Sequence, residues 1–523
     1  MAVSAVQVQF LCLPVDRDLM TASCRKEGPF GVPRVSCWLL VFSVTFNIVT
    51  PCISSPQTPK HSWPNLYTTR NKSQYITIHA MAQSGKVFLG PVIHCPSASE
   101  LEILPFALVG VNSEGTIVSL IKNADPENTQ DLVAALDVSP SLDTIHLLAP
   151  GQFLIPGFVD THNHAPQWAQ RGLGQGMHIL DWLNAITFPN ESRFRDPDYA
   201  RRIYASCVDG FLRQGITTAS YYGSVHGEAT NILAGLCLEK GQRALVGKCN
   251  MTRNAPEYYR DASVEESLQV TEACIAHIRH LDPEGKLVRH VLTPRFAISC
   301  DPEVLQGLGE IADRNPDLPI QTHFNEAEQE MKATMELFPQ FTNEADLYEH
   351  YGLLGQRSIL AHCCHMSEYE LDRLKALGCG VAHCPVSNMT VGGGFMAAPV
   401  REFMRRGIKV GLGTDSGGGF SSSILDAMRQ AMIASHAREV MSRGQDTGLS
   451  IGEVCGLHDK VGNFEVGKEF DAIVVGTQGP EQGIMTMVED DDTLKTVFEK
   501  FIMTGDDRNI LEVYVQGRSV KAT

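Results

Sequence analysis

Eight short apolar runs divide the middle of the chain, at 153–159, 217–222, 243–248, 288–296, 319–324, 358–364, 380–384 and 409–414. Most are followed by a stretch with helical spacing. In 199–214 the apolar residues Ile203, Cys207, Val208, Phe211 and Leu212 fall on one face, and Gly215 stops the pattern. Ser367 with Glu370 spells a capping box, and the helix it opens halts at Gly378. Eight consecutive strand–helix units point to an α/β fold, a (β/α)8 TIM-like barrel. An open doubly wound sheet has the same periodicity, so spacing alone does not separate the two. A length of 523 residues suits a barrel with an added lobe.

The flanks supply that lobe. Residues 106–111 and 116–120 read as strands on either side of Asn112-Ser113-Glu114-Gly115, a turn-rich tetrapeptide suited to a hairpin. Residues 470–475 and 511–515 have the same character, and Gly517 punctuates the second. The expected organisation is therefore an unassigned extension over 1–80, one part of a small β-lobe over 81–152, the barrel over 153–450, and the other part of the lobe over 451–523. The extension surrounds one apolar run, 37–49, which is short for a membrane span, contains Asn47 and starts too far in for a secretory signal. Met81 makes a natural start for the folded part.

The balance of charge narrows the partners. With 43 basic against 60 acidic residues the chain carries −17, and no basic stripe is present to track a phosphate backbone. A small uncharged substrate is expected, not a nucleic acid, and no membrane. The 15 cysteines are scattered without a CxxC pair, the pattern of reduced thiols in the cytoplasm.

The chemistry sits where the runs stop, because a barrel gathers its catalytic groups at the C-terminal ends of its strands. The first run leads into Asp160-Thr161-His162-Asn163-His164. His162 and His164, two apart on extended chain, point to one side and can grip one metal. The fourth run ends in Thr293-Pro294-Arg295-Phe296, the fifth reaches His323, the sixth His362, and the eighth is followed by Asp415. Taken singly, each histidine is an ordinary core or surface residue, and Asp415 before Ser416 is a helix cap. Jointly they are costly to bury unless one central cation satisfies them together.

Longer stretches carry a resemblance. Pro156-Gly157-Phe158-Val159-Asp160-Thr161-His162-Asn163-His164 resembles the opening signature of the amidohydrolase superfamily. Thr293-Pro294-Arg295-Phe296, Gln321-Thr322-His323-Phe324-Asn325-Glu326, Ala382-His383-Cys384-Pro385 and Gly413-Thr414-Asp415 are similar to the guanine deaminases within it. So are 462–472 and 505–510, and the likeness runs from about Lys86 to the C-terminus. The resemblance implies hydrolysis of guanine to xanthine and ammonia by a homodimer, with one Zn2+ per chain on His162, His164, His323 and Asp415. It implies substrate contacts from Gln167, Arg295, Phe296 and Glu326, joined by His164, His323 and Asp415.

Three imidazoles and a carboxylate suit a catalytic zinc that keeps a place for water. Glu326 would carry a proton from water to the ring, and Asp415 would pass a second to the departing amine. His362 either hydrogen-bonds the nucleophile or touches the metal. Relatives with two metals bridge them by a lysine at the end of the fourth strand; Arg295 stands there instead, so one metal is expected. Its guanidinium fork matches the O6/N7 edge of guanine and rejects the donor that adenine presents there. Gln167, with a donor and an acceptor, reads another edge, and Phe296 stacks on the base or fills the wall. Two other motifs carry no function. His226-Gly227-Glu228 lacks the downstream Pro-Cys-x-x-Cys of cytidine-type deaminases. Gly417-Gly418-Gly419 lacks the lysine of a phosphate loop and serves to let backbone approach the site.

One departure stands out. Leu449-Ser450-Ile451-Gly452-Glu453-Val454 runs directly into Cys455-Gly456-Leu457, where relatives carry about three more turns of helix. Inserting that helix is expected to raise the melting temperature. Equal melting of the two chains would refute the idea that the loss weakens the fold.

Overall fold

The computed structural model describes residues 85–97, 100–134, 136, 144–450, 462–477, 484 and 486–521. The expected extension over 1–80, the Met81 start and the junction at 451–457 lie outside the described residues.

The chain enters through an antiparallel pair, β1 (Lys86–Ser97) and β2 (Glu100–Val111). The turn to β3 (Ile117–Ile121) is held by Asn112, whose Oδ1 accepts from the backbone N–H of Glu114 at 3.0 Å and of Thr116 at 2.9 Å. This is the side-chain turn mimicry that places asparagine at such corners. β4 (Ile145–Leu147) and β5 (Gln152–Pro156) then run parallel to β1.

Here the expected first barrel strand divides. Residues 153–156 belong to β5, while β6 (Phe158–His164) begins beyond Gly157 and pairs with β7 (Ile216–Tyr222). Pro156 has no N–H to continue a ladder. A Cβ at Gly157 would stand 2.2 Å from Thr217 Oγ1, so only glycine passes at this crossing. The third and fourth expected strands are also interrupted. They appear as β8 (Arg243–Gly247) with β9 (Cys249–Asn250), and β10 (Val288–His290) with β11 (Thr293–Pro294). Lys248, at the first break, turns its ammonium into a buried pair with Asp261, 2.6 Å from each carboxylate oxygen. The remaining runs fall near their expected places, as β12 (Ile320–Phe324), β13 (Ser358–His362), β14 (Gly380–His383) and β15 (Lys409–Leu412).

These strands are parallel. One sheet has the order β10-β8-β7-β6, another β12-β13-β14-β15, and β9 pairs with β11. Backbone bonds cross both seams. On one side Leu292 bridges Ile320, and the N–H of Gln321 donates to the Leu292 carbonyl at 2.9 Å. On the other, the N–H of Asp415 donates to the His162 carbonyl at 2.9 Å, and Thr161 Oγ1 donates to the Leu412 carbonyl at 2.8 Å.

The C-terminal strands β16 (Ala472–Gly476), β17 (Ile510–Val515) and β18 (Arg518–Ser519) return to the first sheet. Its order is β18-β17-β16-β5-β1-β2-β3, with β4 beside β1. Phe88, Val109, Leu154, Phe470 and Val474 pack a core within it, and a larger core gathers the helices on the parallel strands. The helix Pro197–Arg213 is capped by Asp196 and buries Ile203, Cys207, Val208, Phe211 and Leu212.

The helix Glu368–Leu377 shows how local sequence supports the strand ends. Its capping box joins Ser367 to Glu370, and Gly378 closes it at φ 72°. Glu370 also accepts from Asn325 Nδ2 at 2.8 Å, fixing the turn that leads to Glu326. Ser367→Ala should therefore cost about 1 kcal/mol, the worth of a cap. Glu370→Ala, which also orphans Asn325, should cost about 2–3 kcal/mol. Urea unfolding of the two variants checks the order; equal midpoints would contradict it.

Candidate active site

The predicted residues meet. His162 and His164 lie at the end of β6, His323 in β12, and His362 closes β13. The ring centres of His162, His164 and His323 are 5.0–5.2 Å apart. His362 stands 5.2 Å from His162 and 5.3 Å from His323. Asp415 Oδ1 is 3.3 Å from His162 Nε2 and 3.5 Å from His164 Nε2. All five side chains are buried.

This cluster fits a metal ion. The Nε2 atoms of His164 and His323 face each other at 3.2 Å, that of His162 faces the Asp415 carboxylate at 3.3 Å, and that of His362 is buried without a hydrogen-bond partner among the described residues. The outer nitrogens decide which atoms point inward. His323 Nδ1 donates to the Arg295 carbonyl at 2.6 Å, and His362 Nδ1 donates to Asn388 Oδ1 at 2.8 Å. Each Nε2 is left as a lone pair facing the centre. Burial holds His164 and His323 well below the usual histidine range, so they are neutral, as ligands must be. Burial alone would raise the Asp415 carboxyl, but its contact with His162, together with His164 and His362 nearby, holds it well below its ordinary value. His162, His164 and His323 can present three ligand atoms together, as can His323, Glu326 and His362. His362 thus faces the centre, 3.6 Å from Glu326 Oε2.

The backbone is strained at these points. Asn325, His362, Cys363 and Asp415 all adopt left-handed conformations, with φ of 46°, 74°, 49° and 42°. Non-glycine residues held so cost about 1–3 kcal/mol each and collect at functional sites.

Beside the imidazoles lies a pocket bounded by Gln167, Arg295, Phe296, Glu326 and Asp415 among others. Burial, with Asp415 adding, pushes the Glu326 carboxyl well above its ordinary range. Phe296 stands at the wall, its ring 5.9 Å from that of His323.

A model of the amidohydrolase family matches residues 153–520. This chain belongs to the amidohydrolase family. Within it, the probable guanine deaminase of Schizosaccharomyces pombe is 39% identical over 83% of this chain and 83% of its own length. The guanine deaminase of Mus musculus is 37% identical over 83% and 96%. Among solved structures, a guanine deaminase from C. acetobutylicum with guanine bound in its active site superposes at a TM-score of 0.74 and 30% identity. It covers 83% of this chain and is itself wholly covered. A triazine hydrolase variant at 21% identity and a TM-score of 0.68 shares the fold.

Several residues of this amidohydrolase's site were not singled out by the sequence. Glu191 forms a bidentate pair with Arg295, at 2.7 Å to Nη1 and 3.2 Å to Nη2, and accepts from Gln167 Nε2 at 2.8 Å and from the Tyr259 hydroxyl. It sits in the short helix Phe188–Glu191, far in sequence from every strand end, and no local pattern marks it. Asn388, which orients His362, is equally silent. The reading of the glycines is specific at Gly418: a Cβ there would stand 2.6 Å from Asp415 Oδ2 and 2.9 Å from Ser387 Oγ. Gly418→Ala should displace the Asp415 carboxylate and weaken binding of a divalent ion about 10–100-fold. Calorimetric titration of metal into stripped protein measures this; unchanged affinity would remove Asp415 from the ligand set.

Proposed function

We propose that this amidohydrolase deaminates guanine by hydrolysis, releasing xanthine and ammonia, with one Zn2+ per chain on His162, His164, His323 and Asp415. The observation that carries this reading is that Arg295, Gln167 and Glu326 bound the same cavity as His164, His323 and Asp415, with His162 3.3 Å from Asp415. The guanine deaminase relatives and the guanine-bound neighbour support the choice of base. The two parallel sheets, bonded across both seams, are read as one (β/α)8 barrel, and the mixed sheet as a lobe of its own.

When bound, zinc supplies Lewis-acid activation, which brings the pKa of water to about 7. The chain's own residues do the rest. Arg295 presents N–H donors to O6 and N7, so adenine, with a donor at that corner, is turned away. Phe296 walls the base, and His164 and His323 also touch it. Glu326, whose carboxyl burial holds well above its ordinary range, takes a proton from the attacking water and sets it on the ring nitrogen next to C2. Asp415 accepts the second proton and delivers it to the amino group, which leaves as ammonia. His362 steadies the nucleophile through its inward Nε2.

The wider setting is read as a cytoplasmic homodimer without nucleic-acid partners. The ten free cysteines among the described residues and the charge of −17 support the compartment and the missing polymer. Among the described residues no helix is long and apolar enough to cross a membrane.

The test is ammonia release from guanine, adenine, cytosine and 8-oxoguanine by purified protein, with and without a chelator. Guanine should be preferred and the chelator should abolish turnover. Glu326→Gln should lower kcat by about 10²–10⁴-fold while zinc stays bound. Preference for another base would overturn the substrate. Protein that purifies without zinc and turns over none of them would be a scaffold.

A further inference from the structure

Glu191 has no part in the proton transfers above, yet it is fully buried and saturated with partners. Its Oε1 accepts from Arg295 Nη2 and Gln167 Nε2; its Oε2 accepts from Arg295 Nη1 and the Tyr259 hydroxyl. A carboxylate offers about four lone-pair sites and no donor, so it has nothing left to give a ligand. Its effect must pass through the side chains it holds.

Two of those side chains, Arg295 and Gln167, bound the cavity. The bidentate pair fixes the plane of the Arg295 guanidinium, leaving its other N–H bonds to the cavity. The effect on Gln167 is sharper. An amide is ambivalent in isolation, but beside an acceptor-only carboxylate its nitrogen must turn to Glu191. Gln167 Oε1 is then left buried and without a hydrogen-bond partner, on a residue that bounds the cavity. Gly417 makes room for that oxygen, since a Cβ there would stand 2.0 Å from it.

We propose that Glu191 is a positioning residue that sets base selectivity, locking Arg295 as the donor edge of the site and Gln167 as an acceptor. The matching ligand is a purine that shows acceptors to Arg295 and an N–H to Gln167. Guanine does both, with O6 and N7 on one edge and N–H groups on its N1 and 2-amino edge. This inference rests on the guanine reading and adds to it the origin of the amide's orientation.

The test uses the full-length zinc-loaded chain and four proteins: wild type, Glu191→Gln, Tyr259→Phe, and the exchange pair Glu191→Gln with Gln167→Glu. Kinetics with guanine are read beside zinc content and melting temperature. In Glu191→Gln the new amide can donate to Gln167 Oε1, so Gln167 is free to turn its N–H groups to the base. KM should rise about 10–100-fold with kcat within about threefold, the mark of lost binding rather than lost chemistry. Tyr259→Phe removes one bond from Glu191 without touching charge and should raise KM about two- to fivefold. The exchange pair restores an acceptor at position 167 and a carboxylate near Arg295, and should recover at least about tenfold of the lost KM. A merely structural role predicts lower melting without this recovery.

If Glu191→Gln does not fold, Tyr259→Phe and the exchange pair decide. Zinc-replete variants with an unmoved KM, or an exchange pair no better than Glu191→Gln, would overturn the proposal while the guanine reading stands. A wild-type chain inactive on guanine would overturn both.

Discussion

Everything in this molecule answers to one constraint: a group of imidazole nitrogens, buried at the strand ends, that face one another and a carboxylate. Four rings and one carboxylate form one connected cluster in the interior. Such groups are expensive to take from water unless something satisfies them. Neutral rings with lone pairs turned inward make a cation the natural partner. The strained backbone at His362 and Asp415 is held because surrounding packing leaves those residues no alternative.

Around that centre stands a second tier, and each member acts at a distance. Asp160 accepts from the Thr414 hydroxyl at 2.6 Å and from its N–H at 3.0 Å, tying the first parallel strand to the turn that carries Asp415. Glu370 caps its helix and anchors Asn325 beside Glu326. Glu191 gathers Arg295, Gln167 and Tyr259. Tyr259 in turn stands on a loop pinned by the buried Lys248–Asp261 pair. Cavity walls and the clustered imidazoles and carboxylate are thus fixed from outside, as a site must be if its geometry is to persist without ligand.

Much of this was legible in the chain. Short apolar runs followed by amphipathic stretches announced parallel strands and their helices, and the helix over 199–214 and the capping box at Ser367 lie almost where periodicity set them. The histidines and the aspartate that cluster here were legible because strand ends are marked by a change from apolar to polar residues. What misled was the length of the runs. Residues 153–159 are evenly apolar, yet the chain passes from one sheet to another within them, because both sheets ask for the same buried character. The breaks at Lys248 and before Thr293 were hidden for a related reason: hydrophobicity does not say when a ladder stops.

By itself the sequence determined which residues would be buried in strands and which polar groups would end them, since both follow from spacing along a local backbone. It also determined the chemistry available, since imidazole, carboxylate and guanidinium are fixed by residue type. Only the tertiary structure decided which groups touch: that Asn388 sets the tautomer of His362, that Glu191 clamps Arg295 across 104 residues, and that Gln167 turns its amide nitrogen to Glu191. The physical reason is the range of the forces. Strand and helix are settled by neighbours in the chain, whereas the direction of a buried hydrogen bond is settled by whatever the fold brings within 3 Å or so.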